Sequence, residues 1–425
     1  MNAPNRAAAG RSSAHAADDR TPDHAADGRL PSRAAAGRSP GYAASGCSPV
    51  IAAYGRSPFT FAHKGALVKL RPDDLAAQVV RGVVERAGLA PDDVEDLIVG
   101  CAFPEGEQGF NVARIVGLLT GALPLSVAGA TVNRFCGSSM QSVHMAAGAV
   151  RMNAGDAFVC AGVESMSRVP MGGYNPLPNP GLHESFPAAY MSMGQTAENV
   201  AARYRITRTE QEAFALESQR RAAAARADGR LGGEIVPVEV GGVRIERDGC
   251  IREETSLEGL ADLKPAFLED GTVTAGTSSP LTDGAAVVVV CSDAYAAERG
   301  LAPLARVKSI AVSGCAPEVM GIGPVGASRK ALERAGIAAA DLDVVELNEA
   351  FAVQAIACMR DLGLDHARVN IDGGAIALGH PLGATGARIT GKAAAVLKRR
   401  GGRYALATQC IGGGQGIATV LEAVH

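Results

Sequence analysis

Three reactive side chains stand among small residues: Cys136 in Asn-Arg-Phe-Cys-Gly-Ser-Ser, His380 in Leu-Gly-His-Pro-Leu-Gly, and Cys410 in Gln-Cys-Ile-Gly-Gly-Gly. Glycine beside a nucleophile lets backbone and substrate approach closely and frees N–H groups to face an anion. Two thiols and one imidazole set in this way point to chemistry on a thioester. Cys136 follows Val132 to Phe135, which reads as a strand, and opens a helix at Gly137-Ser138-Ser139. The helix N-terminus and a nearby imidazole are expected to lower its thiol pKa. His380 lies between Gly379 and Pro381, where the chain cannot be helical through the proline. Asn348, heading Asn348-Glu349-Ala350-Phe351 at a strand end, can position a water or an oxyanion, or cap a helix. His144 rides a helix and reads as structural.

Other chemistries fit less well. Gly412, Gly414 and Gly416 do not complete GxGxxG, because position 417 is Ile, and too little chain follows for a strand–helix–strand unit. Nine cysteines with no CxxC or Cys/His cluster supply neither a disulfide framework nor a metal site. Cys101, Cys160, Cys291 and Cys358 lie in apolar runs and are expected to be buried. This usage suits a reducing compartment, and a cytoplasmic location is expected. A net charge of −3 gives no basic field for nucleic acid or an anionic membrane, and 4% aromatic content offers little for base stacking. The longest strongly apolar stretch, Ala285 to Cys291, is far below the roughly 20 residues of a membrane span. The chain reads as a soluble protein that binds a small molecule.

The elements that must position these groups are duplicated. Val-Val-Glu-Arg-Ala-Gly-Leu-Ala-Pro-Asp-Asp-Val begins at Val83, and Ala-Leu-Glu-Arg-Ala-Gly-Ile-Ala-Ala-Ala-Asp-Leu at Ala331. The constant offset of 248 continues through Ala102-Phe103 and Ala350-Phe351. Each copy reads as a helix ended by Gly88 or Gly336, then a turn and a strand. Ala157 to Ala161 and Tyr404 to Thr408 read as a further strand pair, with Cys410 just past the second, and Val369 to Ile371 leads through glycines to His380. Equivalent strand ends of two related halves would supply all three side chains at a pseudo-two-fold interface. Between the halves, Met171 to Met193 suits a lid or substrate loop, and Ala197 to Ala227 a helix with Glu210, Glu212, Arg220 and Arg221 on solvated faces. Residues 1 to about 47 are low-complexity, with Leu30 the only large aliphatic residue. That composition predicts a disordered extension or a translation start assigned too far upstream, and Asp18, Asp19, Asp23 and Asp27 argue against a transit peptide.

From about residue 48 to 425 the chain resembles the thiolases, which cleave 3-ketoacyl-CoA with CoA or condense two acyl-CoAs. The motifs that carry the resemblance are Asn133-Arg-Phe-Cys-Gly-Ser-Ser, Val163-Glu-Ser-Met, Asn348-Glu-Ala-Phe, Gly373-Gly-Ala-Ile-Ala-Leu-Gly-His-Pro-Leu-Gly and Cys410-Ile-Gly-Gly-Gly. Thr274-Ala-Gly-Thr-Ser-Ser-Pro-Leu-Thr-Asp-Gly-Ala-Ala is similar to the degradative, fatty-acid-oxidation branch. The resemblance implies an α/β fold, a five-layered αβαβα sandwich. Its parts would be an N-terminal half over 48–166 with 282–301 returning to it, a loop domain over 167–281 and a C-terminal half over 302–425. It implies Cys136 as the acyl-carrying nucleophile, His380 as its activator and Cys410 as the second acid/base. One oxyanion hole would come from His380 and a water held by Asn348, another from the N–H groups of Cys136 and Gly412. Arg252, Ser279, Ala275 and Phe351 would meet CoA, which is a co-substrate; no permanently bound cofactor is implied.

By the same resemblance the protein is a homodimer or homotetramer, with a hydratase/dehydrogenase subunit as a further candidate partner. Biosynthetic acetoacetyl-CoA members carry a loop histidine where this chain has Met171 and a CoA-contacting serine where it has Gly259. The flexible, apolar Met171, Met191 and Met193 suit a longer acyl chain. A short-chain acetyl-CoA acetyltransferase is the alternative within this chemistry. A β-ketoacyl synthase would have His or Asn in place of Cys410, and a non-catalytic CoA-binding protein would be expected to lack one of the reactive three.

Overall fold

The two copies of the repeat end their helices in the same way. The first helix, Pro72–Ala87, closes at Gly88 (φ 63°), with Gly88 N bonded to Glu85 O and Leu89 N to Val84 O. The second, Gly323–Ala335, closes at Gly336 (φ 68°), with Gly336 N bonded to Glu333 O and Ile337 N to Leu332 O. The left-handed turn costs glycine nothing and would strain other residues, so the motif is written at matching positions. The computed structural model describes residues 47–424. The expected low-complexity extension therefore lies outside the described residues, apart from Cys47.

The first half contains β1 (Pro49–Arg56), β2 (Thr60–Phe61), α1 (Pro72–Ala87), β3 (Val94–Gly100), α2 (Val112–Leu119), β4 (Ala128–Val132), α3 (Ser138–Arg151) and β5 (Ala157–Ser165). A segment with α4 (Pro180–Ser185), α5 (Met193–Tyr204), α6 (Arg208–Ala227), β6 (Val238–Val240), β7 (Val243–Ile245) and α7 (Leu257–Ala261) follows. The chain then returns as β8 (Thr282–Ser292), between β1 and β5, and α8 (Asp293–Glu298). The second half is β9 (Ala305–Gly314), α9 (Gly323–Ala335), β10 (Val344–Leu347), α10 (Ala352–Leu362), α11 (Ala375–Leu378), α12 (Leu382–Arg400), β11 (Tyr404–Ile411) and β12 (Gln415–Glu422).

The strand order β10-β11-β12-β9-β1-β8-β5-β3-β4 mirrors itself about the β9–β1 junction. Only Val50↔Arg306 and Ile51↔Ala305 bridge that junction, so two sheets meet at a seam. Alternation along β8 explains the layering. Val287, Val289 and Cys291 join a core with Leu75, Val79 and Val83 of α1, whereas Ala286, Val288 and Val290 join one with Met140 and Val143 of α3 and Ile389 and Ala393 of α12. A strand buried on both faces needs an apolar residue at each step, which is why this stretch reads as continuous hydrophobe. The second sheet has its own outer core, with Ala327 and Ala331 of α9 and Val353 and Ile356 of α10. Helices thus lie outside each sheet and between the two, forming the five-layered αβαβα sandwich. The offset persists at the centre, where Ala387 N donates to Ser139 Oγ at 2.8 Å.

Several expected boundaries shift. The strand before Cys136 occupies Ala128–Val132, not Val132 to Phe135. The stretch Val369 to Ile371 that leads to His380 meets the sheet through a single parallel bridge between Val369 and Val345. The helix expected over Ala197 to Ala227 is two, broken at Arg205 (φ 51°). Glu212 is buried and paired with Arg208 at 2.6 Å, not on a solvated face. All nine cysteines are free, and no helix among the described residues is long and apolar enough to cross a membrane.

Candidate active site

Cys136 is delivered by a tight turn. Asn133 Oδ1 accepts from Phe135 N at 2.8 Å, Phe135 takes φ 42°, and Ser138 Oγ accepts from Arg134 N at 2.9 Å. These side-chain contacts compete with the strand ladder and end it at Val132. Gly137 then caps α3. The thiol packs with Ala62, Ala102, Met166 and Leu382, and Phe103 lies against that cluster.

Burial pushes the Cys136 thiol up to about 11; the N–H groups of Gly412 and of Cys136 itself pull the other way, and the Glu164 carboxylate adds to the rise. The expected lowering is therefore reversed. The imidazole that should have lowered it is itself uncharged: burial, reinforced by the Arg388 cation, drives His380 down to about 3. Desolvation outweighs the helix dipole here. Iodoacetamide labelling of Cys136 should consequently rise about tenfold per pH unit through neutrality, without a plateau between pH 6 and 8. A plateau there would reveal a preformed thiolate–imidazolium pair.

Hydrogen bonds assign the His380 tautomer. Thr385 Oγ1 donates to Pro381 O at 3.0 Å, so its contact with His380 Nδ1 at 2.6 Å is one in which it accepts. Nδ1 carries the proton, and Nε2 is left with a lone pair. Asn348 Nδ2 donates to that nitrogen at 3.3 Å. Asn348 Oδ1 is buried with no hydrogen-bond partner among the described residues. The imidazole is thus neutral and gripped from both sides, and the His380 backbone N–H donates to Thr282 Oγ1 at 3.1 Å.

Cys410 lies within β11 opposite Gly416, not past the strand end. Burial holds its thiol well above the ordinary value, with Cys136 the first of its electrostatic neighbours. Both thiols and the imidazole are therefore buried and uncharged. Gln409 Nε2 donates to Cys136 O, tying β11 to the Cys136 turn. Met193 overhangs Gly412: a Cβ there would stand 3.3 Å from its Cε.

Two buried carboxylates hold the loops. Glu164 accepts from Ala102 N (2.8 Å), Gln108 Nε2 (2.7 Å) and Gly383 N (2.9 Å), joining the end of β3 to the start of α12. Glu349 accepts from Ser218 Oγ (2.6 Å), Asn370 Nδ2 (2.8 Å) and Ile376 N (3.1 Å). Burial raises both carboxyls, against the pull of these donors. Neither role, nor those of Thr385, Thr282 and Gln409, was legible beforehand. A hydroxyl five residues beyond the histidine was the one available signal.

Of the expected CoA contacts, Ser279 and Phe351 come together beside Asn348. Ser279 N and Oγ donate to Ala350 O at 3.0 and 3.1 Å, and Phe351 bridges Ser278 while meeting Phe267 edge-on at 5.9 Å. Ala275 is exposed on the short turn Ala275–Thr277. Arg252 stands elsewhere, exposed, its guanidinium 5.1 Å from the Phe61 ring centre and its N–H on Gln219. His144 is structural, bonding Thr419 at 2.8 Å, with burial holding it at about 3. Among the described residues no His/Cys/Asp/Glu group of three or more is placed to hold a metal.

Comparison with known proteins agrees with this architecture along nearly the whole described chain. The thiolase N-terminal domain family matches residues 49–294 and the thiolase C-terminal domain family residues 301–423. A 3-ketoacyl-CoA thiolase of Bacillus subtilis (strain 168) is 48% identical over 374 residues, covering 85% of this chain and 95% of that protein. The 3-oxoadipyl-CoA/3-oxo-5,6-dehydrosuberyl-CoA thiolase of Escherichia coli (strain K12) is 46% identical over 387 residues, covering 85% and 96%. The crystal structure of human mitochondrial 3-ketoacyl-CoA thiolase in complex with CoA superposes with a TM-score of 0.82 at 38% identity, covering 89% of this chain and 98% of that one. With duplicated halves, a five-layered core and two family domains in sequence, the chain belongs to the thiolase family.

Proposed function

We propose that the protein cleaves 3-ketoacyl-CoA with CoA, giving acetyl-CoA and a shortened acyl-CoA, as in fatty-acid β-oxidation. The observation that supports this reading is the buried His380 imidazole, held by Thr385 Oγ1 at 2.6 Å and Asn348 Nδ2 at 3.3 Å so that Nδ1 carries the proton, together with two free, buried thiols at Cys136 and Cys410. Cys136 gives its proton to His380 Nε2 as its sulfur attacks the C3 carbonyl. The C2–C3 bond breaks, its electron pair passes to the acetyl-CoA enolate, and Cys410 protonates that carbon. The Cys410 thiolate then deprotonates incoming CoA, whose sulfur takes the acyl group from Cys136. The departing Cys136 sulfur recovers its proton from His380. Both thiols start neutral, so each proton moves during bond making rather than before it. The N–H groups of Cys136 and Gly412 hold the oxyanion on the acyl carbon, and His380 with a water on the free Asn348 Oδ1 holds the enolate oxygen.

Coenzyme A is the co-substrate, received by Arg252, Ala275 and Ser279 of the loop domain over 167–281 and by Phe351 of the C-terminal half. The acyl group enters an apolar nest of Ala62, Ala102, Phe103, Met166 and Leu382, with the Glu164 carboxylate close to the sulfur. An uncharged acyl chain fits that nest better than the acidic tail of 3-oxoadipyl-CoA. The protein acts as a dimer or dimer of dimers, in a reducing compartment such as the cytoplasm. Strand β4 is a sheet edge, and Phe110 and Leu125 nearby are 97% and 77% exposed, the kind of edge and apolar surface that a second copy covers.

The test is an acyl-chain series in the thiolysis direction. Medium-chain 3-ketoacyl-CoA should exceed acetoacetyl-CoA in kcat/KM by about tenfold or more, and 3-oxoadipyl-CoA should be the poorest. Equal values for acetoacetyl-CoA and the medium chain would favour the short-chain acetyltransferase.

A further inference from the structure

Two elements grip the His380 imidazole: α12 through Thr385 at Nδ1, and the end of β10 through Asn348 at Nε2. A second contact joins the same two elements three residues along α12 and two residues back on β10. There Arg388 Nη1 donates to Glu346 Oε2 at 3.2 Å. Both residues are buried, 1% and 0% exposed. Arg388 Nε and Nη2 and Glu346 Oε1 have no hydrogen-bond partner among the described residues, so one bond holds the guanidinium.

The internal duplication supplies a control. At the offset of 248 that relates Ser139 to Ala387, Glu346 corresponds to Ile98 on β3, and Arg388 to Met140 on α3. Ile98 and Met140 are 3% and 0% exposed and belong to the apolar core between the sheets. The same scaffold therefore fills these positions with hydrophobic side chains in the half where Val132 stands at the position of His380. Burying an ion pair costs desolvation that an apolar pair of similar volume avoids, so packing alone does not account for the charges.

We propose that Arg388 and Glu346 are a positioning pair for His380, their bond setting the spacing of α12 and β10 so that Thr385 and Asn348 close on the imidazole together. This rests on reading His380 as the base. The charge has a second consequence, because Arg388 is the cation that adds to burial in keeping the imidazole neutral. The surroundings of the pair are fully populated. Burial raises Glu346 against the pull of Arg388 and Lys392, with Asp372 and Glu234 adding to the rise; Tyr54 and Glu349 also feel the Arg388 charge.

The experiment compares wild type, the E346M/R388M double variant, R388K and H380A for thiolysis kcat, KM, Tm and the acid limb of the kcat–pH profile. The double variant should keep its Tm and lose about 10- to 100-fold in kcat, with KM little changed. Its acid limb should move toward neutral pH, since the imidazole is easier to protonate without the cation. R388K keeps the charge but not the reach, so its limb should stay in place while kcat falls. A folded double variant with wild-type kcat and limb overturns the proposal, as does lost kcat with an unmoved limb. If the double variant does not fold, wild-type kcat in R388K overturns it. H380A separates the two readings: full activity there refutes the base assignment itself, whereas an inactive H380A beside a wild-type double variant refutes only the positioning pair.

Discussion

Replacing Cys136 with alanine is expected to lower thiolysis by at least about 10⁴-fold, because no second group can carry the acyl chain through the reaction. The substitution removes one sulfur from a pocket of Ala62, Ala102, Met166 and Leu382, so folding should survive. CoA should still bind, since its proposed contacts, Ser279 and Phe351, are anchored independently on Ala350 and Ser278. Mass spectrometry after mixing with a 3-ketoacyl-CoA should find the acyl adduct on Cys136 in the wild type and on no residue in the variant. An adduct on Cys410, or turnover near the wild-type rate, would move the nucleophile elsewhere.

Replacing Cys410 with serine should cost about 10²- to 10⁴-fold in kcat, the usual range for losing a positioned acid or base. Serine keeps the volume nearly constant within β11, where Cys410 is 1% exposed, but its hydroxyl is a far weaker acid. The decisive feature is a split between two measurements. Turnover should collapse while iodoacetamide still labels Cys136, because the nucleophile, its N–H donors and His380 remain in place. A variant that loses labelling and turnover together would show Cys410 acting through the shape of the site rather than through its proton. Wild-type turnover would exclude it from the chemistry.

The candidate reactive residues stand out because their chemistry is local. Cysteine and histidine beside glycine are conspicuous in any reading, and the repeat at offset 248 announced two related halves. Element boundaries near the site were less legible, for a reason specific to sites. Val132 to Phe135 has a strand's composition, yet the Asn133 and Ser138 side chains capture backbone N–H groups and turn the chain early. Cys410 erred the other way: β11 runs on to Ile411 because β12 pairs with it to its last residue. Glu212 looked like a surface acid because nothing local reveals that Arg208 and α7 cover it.

By itself, the sequence determined which groups could react and that the halves are copies. Only the tertiary structure decided their protonation. Cys136 was expected to be a ready thiolate and is instead a neutral thiol, and the His380 imidazole is neutral as well. The physical reason is that a pKa records burial and the charges nearby, and these arrive from distant parts of the chain. Glu164 reaches Cys136 from β5, and Gly412 from the turn after β11. Asn348 meets His380 from 32 residues away, and Arg388 meets Glu346 from 42. Residue type and spacing name the reactants; the packing of two folded copies against each other sets which of them holds the proton.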